Sequence, residues 1–235
     1  MSQPVPFGDF SATLLAIAGH DLRQPLQLIV GAHDKLARNL HGSQQRKELA
    51  QAAEATAQLA GMLGELVEAL RLRERSGSEL HLPVRLRPIL DALAAEFGQS
   101  ARLKGIRFRV AAGSGAALSH PVLLTGMLRN LIRNAIDYTP PGGGVFVTSR
   151  RCGSKLRIEV RDTGVGIGAS AVSTIFRAFQ RNDESRMDGL GLGLFIVKHA
   201  AGLLRHRIEV RSAEGRGSCF AIIANAAPRS AAAAA

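Results

Sequence analysis

The sequence has no tryptophan and a single tyrosine among 235 residues. A surface that stacks single-stranded bases would have to rest on phenylalanine, which argues against that class of ligand. Cysteine is almost as scarce. Cys152 and Cys219 show neither metal-ligand spacing nor a disulfide framework, the pattern of ordinary thiols in a reducing compartment. No run of about 18 apolar residues occurs, so no segment reads as a membrane span. The N-terminus lacks a basic stretch followed by an apolar one, so no signal peptide is expected. These absences point to a cytoplasmic protein. Acidic residues are in deficit, 19 against 30 basic ones, which gives a formal charge of +11. Such a balance suits nucleic acid, a phosphorylated ligand or an acidic partner. Neither the G-x-G-x-x-G dinucleotide fingerprint nor the G-x-x-x-x-G-K-[ST] phosphate loop is present. No internal repeat is visible.

What is present reads as a globular chain, 46% hydrophobic and 21% charged. Residues 1–8 hold two prolines and a glycine and read as a lead-in. From Asp9 to about Leu40 the pattern is helical, with Leu15, Leu22, Ile29 and Leu36 seven apart. Pro25 should bend that helix. His20, Gln24 and Gln27 share a face off the apolar stripe, so His20 is expected to be exposed. After the break His41-Gly42-Ser43, a second helix is expected from about Gln44 to Arg75. Leu49, Thr56, Leu63 and Leu70 recur every seven residues, with Ala52, Leu59 and Leu66 beside them, a heptad seam. One hairpin cannot bury both stripes. Two chains pairing into a four-helix bundle is the expected solution; a hairpin folded back on its own second domain is the alternative.

Ser76-Gly77-Ser78 marks a domain boundary. Beyond it the spacing predicts a helix over Arg87–Gln99 and a strand at Ile106, Phe108 and Val110. A helix follows from Pro121 to Tyr138, with proline in its first turn. Strands are expected at Val145–Val147, after Gly142-Gly143-Gly144, and at Leu156–Val160. A helix over Leu192–Leu204 precedes a final hairpin, Ile208 and Val210 against Phe220 and Ile222, turning at Glu214-Gly215-Arg216-Gly217. The fold class is therefore α+β: a long helical hairpin (1–78), then an α/β sandwich of about five strands with helices on one face (79–227). Residues 228–235, Pro-Arg-Ser and five alanines, read as a disordered tail or tag.

Three segments carry chemistry. Asn130, Asn134 and Tyr138 lie four apart and share one helix face. Two amide oxygens suit Mg²⁺, which takes few protein groups and keeps waters and phosphates. A polar face without a ligand is the plain alternative. Asp162-Thr163-Gly164-Val165-Gly166-Ile167 follows a strand directly. A carboxylate there can accept from an exocyclic amine such as adenine N6, and Gly164 and Gly166 let backbone turn closely around a ring. Gly189-Leu190-Gly191-Leu192-Gly193-Leu194 opens the next helix, where backbone N–H groups attract phosphate.

With His20-Asp21-Leu22-Arg23-Gln24-Pro25 at the head, these segments resemble, in order, the boxes of bacterial two-component sensor histidine kinases. His20–Pro25 is similar to the H box, Asn130–Tyr138 to the N box, and Asp162–Ile167 and Gly189–Leu194 to the two glycine boxes. Phe176 and Phe179 resemble the F box of the mobile ATP lid. The resemblance implies a dimerisation and phosphoacceptor hairpin followed by an ATP-binding domain with Mg²⁺. It makes His20 the phosphoacceptor and Asp21 the neighbouring base, keeping the imidazole in the tautomer whose free nitrogen attacks. Asn134 becomes the Mg²⁺ ligand with Asn130 beside it, Asp162 the reader of adenine, and Gly191 and Gly193 the glycines facing the phosphates. The linker at Ser76–Ser78 flexes to carry ATP to His20. The phosphoryl group then passes to an aspartate of a response regulator receiver domain, with input from a separate sensor or upstream domain. Nucleic acid is not an expected partner.

Three positions depart from the pattern. Asp137 is acidic where the family carries a basic residue that helps hold the phosphates, so slow autophosphorylation is expected, with Arg133, Arg181 or Arg186 as substitute cations. His120 stands where aspartate is common, a change in helix capping. Gln24 takes the position of the Thr or Asn that orients water for the phosphatase reaction, and its longer side chain alters that reach. Two other readings compete: a non-kinase ATPase of the same nucleotide fold, and a degenerate kinase acting as a dimeric scaffold.

Overall fold

A computed structural model describes residues 81–111, 113, 115–176 and 193–228, together with Leu49 and Thr56. The chain divides into two units, Met1–Arg75 and Ser76–Ala235. Apart from Leu49 and Thr56, every described residue belongs to the second. Apart from those two residues, the expected helical hairpin, its bundle and the residues His20, Asp21 and Gln24 lie outside the described residues.

The second unit is built on one sheet. Its strands are β1 (Leu82–Arg85), β2 (Arg107–Ala111), β3 (Ala116–Ser119), β4 (Gly144–Cys152), β5 (Lys155–Asp162), β6 (Arg207–Ser212) and β7 (Ser218–Ala226). Their order is β1-β3-β7-β5-β4-β2, and β6 also pairs with β7. Strands β2 and β4 run parallel; the other described pairs are antiparallel. In β5, Leu156, Ile158, Val160 and Asp162 are buried while Arg157, Glu159 and Arg161 are not. In β7, Phe220, Ile222 and Ala224 are buried on the same face. Period-two alternation thus gives the sheet one apolar face and one polar face.

Helices cover the apolar face. Helix α1 (Leu86–Leu103) buries Leu86, Leu90, Leu93, Phe97 and Ala101, a stripe at helical spacing. Helix α2 (Pro121–Tyr138) starts on Pro121, whose missing N–H costs nothing at that position. It buries Leu124, Leu128, Leu131, Ile132 and Ile136, among others. Helix α4 (Gly193–Leu203), which follows the one-turn α3 (Ala169–Val172), buries Ile196, Val197, Ala200 and Ala201 and packs on α2. Each fully buried leucine or isoleucine contributes about 1.5–3 kcal/mol.

The helix from Pro121 to Tyr138, the strands through Val145 and Leu156 and the final hairpin stand where the pattern put them. Seven strands, not about five, make the sheet. The two unforeseen strands are short and weakly coded. Strand β1 is Leu-Pro-Val-Arg, with a proline that only an edge strand tolerates. Strand β3 is Ala-Ala-Leu-Ser, poor in β-branched residues. They pair with each other, and β3 reaches β7 through two positions.

One buried histidine pins β3 to the α4–β6 turn. The His206 Nε2 lies 2.9 Å from the Ser119 Oγ. Burial, with His81 and Lys155 adding repulsion, lowers its pKa from 6.5 to about 4. A depressed histidine binds fewer protons folded than unfolded. Its contribution is therefore whole above pH 6.5 and is lost as pH falls towards about 4. Thermal melts should lose up to about 3 kcal/mol across that window, and His206→Gln should flatten the dependence.

Candidate functional site

The polar residues of α2 gather at its C-terminal half. Asn130 is buried, and its Nδ2 donates to the Gly126 carbonyl at 3.0 Å. That bond fixes the amide with Oδ1 turned towards the start of α4. A Cβ added to Gly193 would stand 3.0 Å from the Asn130 Oδ1 and 3.8 Å from the Asn134 Nδ2. Glycine at 193 thus relieves a tight contact with the Asn130 amide, while the Asn134 amide lies at ordinary contact distance. Asn134 is half-buried, and Tyr138 is exposed at the helix end.

The second group lies where β5 ends. Asp162 is the one buried carboxylate among the described residues. Its Oδ1 accepts from the Gly164 N–H at 2.8 Å and the Ser218 N–H at 3.1 Å. Burial raises its pKa, and these two N–H groups oppose the shift. Both bonds fall on Oδ1, so Oδ2 is the oxygen left for a ligand. Around it the backbone is tightly layered. A Cβ at Gly164 would meet the Asp162 Oδ1 at 2.9 Å and the Tyr138 carbonyl carbon at 2.9 Å. The Val165 N–H donates to the Tyr138 carbonyl at 3.2 Å. Gly166 has φ +71 and abuts the Ala213 backbone. These contacts join the end of α2, the first glycine segment and the β6–β7 turn into one rim.

That turn was legible only as a hairpin, yet it supports the carboxylate. Gly217, at φ +78, lies on the Asp162 backbone, where a side chain has no room. The Ser212 Oγ accepts from the Ile167 N–H at 2.8 Å and donates to the Gly217 carbonyl at 2.9 Å. The Thr163 Oγ1 accepts from the Gly144 N–H at 2.9 Å. Small polar residues beside glycines were the available signal, but nothing in their spacing ties Ser212 or Ser218 to Asp162.

The remaining positions divide. Asp137 is exposed on the last turn of α2, and its carbonyl, like that of Ile136, accepts from the Lys104 Nζ at 2.7 Å. His120 is the N-cap residue of α2, in extended backbone. Arg133 is half-buried, and Phe176 has the Lys198 Nζ 5.8 Å from its ring centre. Leu194 is half-buried in the first turn of α4. Gly189, Gly191, Phe179, Arg181 and Arg186 lie outside the described residues.

The donors fit the groups the motifs imply. Amide oxygens on one helix face are neutral, hard ligands of the kind Mg²⁺ shares with phosphates and water. A buried carboxylate, oriented by two N–H groups and keeping one oxygen for a donor, fits an exocyclic amine.

Comparison with known proteins agrees with this geometry. The profile of the family described as histidine kinase-, DNA gyrase B- and HSP90-like ATPases matches residues 119–228. An uncharacterized sensor-like histidine kinase of Rhizobium meliloti is 31% identical over 223 residues, covering 91% of this chain and 42% of that protein. The sensor-like histidine kinase SenX3 of Mycobacterium tuberculosis is 31% identical over 213 residues, covering 88% of this chain and 52% of that one. The crystal structure of full-length ShkA in complex with AMPPNP superimposes with a TM-score of 0.69 at 28% identity, over 92% of this chain and 46% of ShkA. The chain thus spans about half or less of the length of these relatives. It is similar to the sensor histidine kinases over most of its length, and its residues 119–228 match the ATPase family that histidine kinases share with DNA gyrase B and HSP90.

Proposed function

We propose that this chain is the catalytic core of an ATP-dependent protein histidine kinase. It transfers the γ-phosphoryl group of ATP to His20, from which an aspartate of a response regulator receives it. The observation that carries the reading is the closure of Gly193 on Asn130 and Asn134. It places the amide helix against the one glycine of the second glycine segment that lies among the described residues. In this reading Asp162 accepts from the adenine amine and the α4 N-terminus faces the phosphates. Asn134, with Asn130 beside it, would hold Mg²⁺, which supplies neutralisation of phosphate charge when bound. Tyr138, exposed at the rim, offers its ring to the base. Asp21 would orient the His20 imidazole, and Gln24 would hold the water of a phosphatase reaction. The protein otherwise contributes position and charge, as phosphoryl transfer requires.

Incubation with γ-labelled ATP and Mg²⁺ tests the proposal. Acid-labile, base-stable label on the protein is expected. Free phosphate without labelled protein would mean an ATPase of another type, and neither product would mean a scaffold.

Two further results follow. The chain should sediment as a homodimer through residues 9–75, because two heptad stripes exceed what one hairpin can bury. A species of only 24.9 kDa at micromolar concentration would contradict this. The second concerns Asp137, a carboxylate three residues beyond Asn134 on α2. Repulsion of a phosphate oxygen costs about 1 kcal/mol at 4 Å even in water. Asp137→Arg should therefore raise the autophosphorylation rate about fivefold or more at saturating ATP. An equal or slower rate would show that the acid is no brake.

A further inference from the structure

The sheet has a second face, away from the helices, and its composition is unusual. Register brings Arg109, Phe146, Arg161, Cys219 and Arg211 into one row across β2, β4, β5, β7 and β6. A parallel row holds Arg150, Arg157, Ile223 and Arg207. Between them runs a row with Thr148, Glu159, Ala221 and Glu209. Arg107 lies at the β2 edge, opposite Gly144. Seven arginines thus face two glutamates.

The two glutamates are already engaged. The Arg157 Nε donates to the Glu159 Oε1 at 2.6 Å, and its Nη1 donates to the Glu209 Oε2 at 2.6 Å. Arg161 and Arg207 approach the same two carboxylates. Hydrogen bonds from Arg157 hold both glutamates below the ordinary carboxylate range. Arg107, Arg109, Arg150 and Arg211 are exposed and form no contact ion pair among the described residues. Strand spacing sets Arg109, Arg161 and Arg211 about 10 Å apart along their row, and the patch measures about 20 Å by 15 Å.

We propose that this face docks a carboxylate-rich surface of a partner protein. Charge complementarity selects the occupant. The exposed cations are guanidinium groups, whose planar fork matches a carboxylate in two bonds. Arginine is also the cation enriched at protein interfaces. A flat sheet does not enter a DNA groove, and its one aromatic side chain, Phe146, is half-buried and offers no run of stacking bases. No large apolar side chain protrudes from these three rows to anchor a membrane. The patch is small, so the contact is transient, fast to form and salt-sensitive. The Asp162 side chain belongs to the opposite, helix-covered face, so the surface is open whether or not the nucleotide site is filled. Nothing in this depends on the kinase reading.

Fluorescence anisotropy of a labelled poly-glutamate peptide against the full chain tests it. Binding should weaken as salt rises. The triple variant Arg109→Gln, Arg150→Gln, Arg211→Gln should lose about tenfold or more in affinity and keep its affinity for an ATP analogue. A control of equal charge change, Arg87→Gln, Arg102→Gln, Arg205→Gln, should shift binding less than about twofold. Should the triple variant fail to fold, the singles Arg109→Gln and Arg211→Gln decide the matter, each expected to weaken binding about two- to threefold. Equal losses in face and control variants would overturn the proposal, as would absence of binding. So would duplex DNA or phosphatidylserine vesicles binding more tightly through the same three arginines.

Discussion

His20→Gln should leave no acid-labile phosphate on the protein while keeping the affinity for an ATP analogue unchanged. Glutamine keeps a polar side chain of similar reach but has no ring nitrogen that can attack phosphorus. Because His20 and the proposed nucleotide site belong to different units of the chain, the two readouts separate. Autophosphorylation should fall below detection, the largest effect any single substitution here should have. Autoradiography after a γ-labelled ATP pulse measures one arm, and titration calorimetry the other. Residual acid-labile label in the variant would make His20 the wrong residue. Matching losses of label and of nucleotide affinity would mean that the change damages the ATPase domain instead.

Asp162→Asn should weaken binding of the same analogue by about 1.5–3 kcal/mol, roughly 10- to 150-fold in affinity. The amide can still accept from the Gly164 and Ser218 N–H groups through its oxygen. If Asp162 reads adenine as proposed, the amide then turns an NH₂ towards the adenine amine, donor against donor. The ligand-free protein should behave in the opposite sense. Burial raises the Asp162 pKa, so the folded chain binds a proton more readily there than the unfolded chain does. The associated stability is whole below the ordinary carboxylate range and is lost as pH rises through the folded pKa. At neutral pH the ionised group is a cost that the neutral amide does not carry. The variant should therefore melt no lower than the parent without nucleotide, and lower than the parent with it. A variant that melts lower in both states and retains full affinity would assign Asp162 to folding alone.

Much of the candidate site's geometry could be read before the fold. Asn130, Asn134 and Tyr138 fall on one helix face by spacing alone, and Asp162 ends a strand whose alternation is plain. Helical and strand periods are local, so they survive in sequence. What brings the segments together is not local. That Gly193 meets Asn130 rather than merely starting a helix depends on α4 packing against α2. Ser218 and Gly217 lie more than fifty residues from Asp162 and act through backbone, which carries no residue signature. Strands β1 and β3 escaped notice for a related reason. Their pairing is with each other and the tip of β7, so weak propensity in Leu82–Arg85 and Ala116–Ser119 is overridden by tertiary contact. The arginine face was visible only as net charge. The register of five strands turned a count into a surface.

The most direct measurement is residue-level mapping of phosphate after incubation of the chain with ATP and Mg²⁺. The digest is handled at alkaline pH, where phosphohistidine survives, and analysed by mass spectrometry. Phosphate on the peptide that contains His20, absent when Asp162→Asn is assayed below its weakened affinity for ATP, is the predicted result. Phosphate on another residue, or turnover of ATP with His20 unmodified throughout, would contradict it.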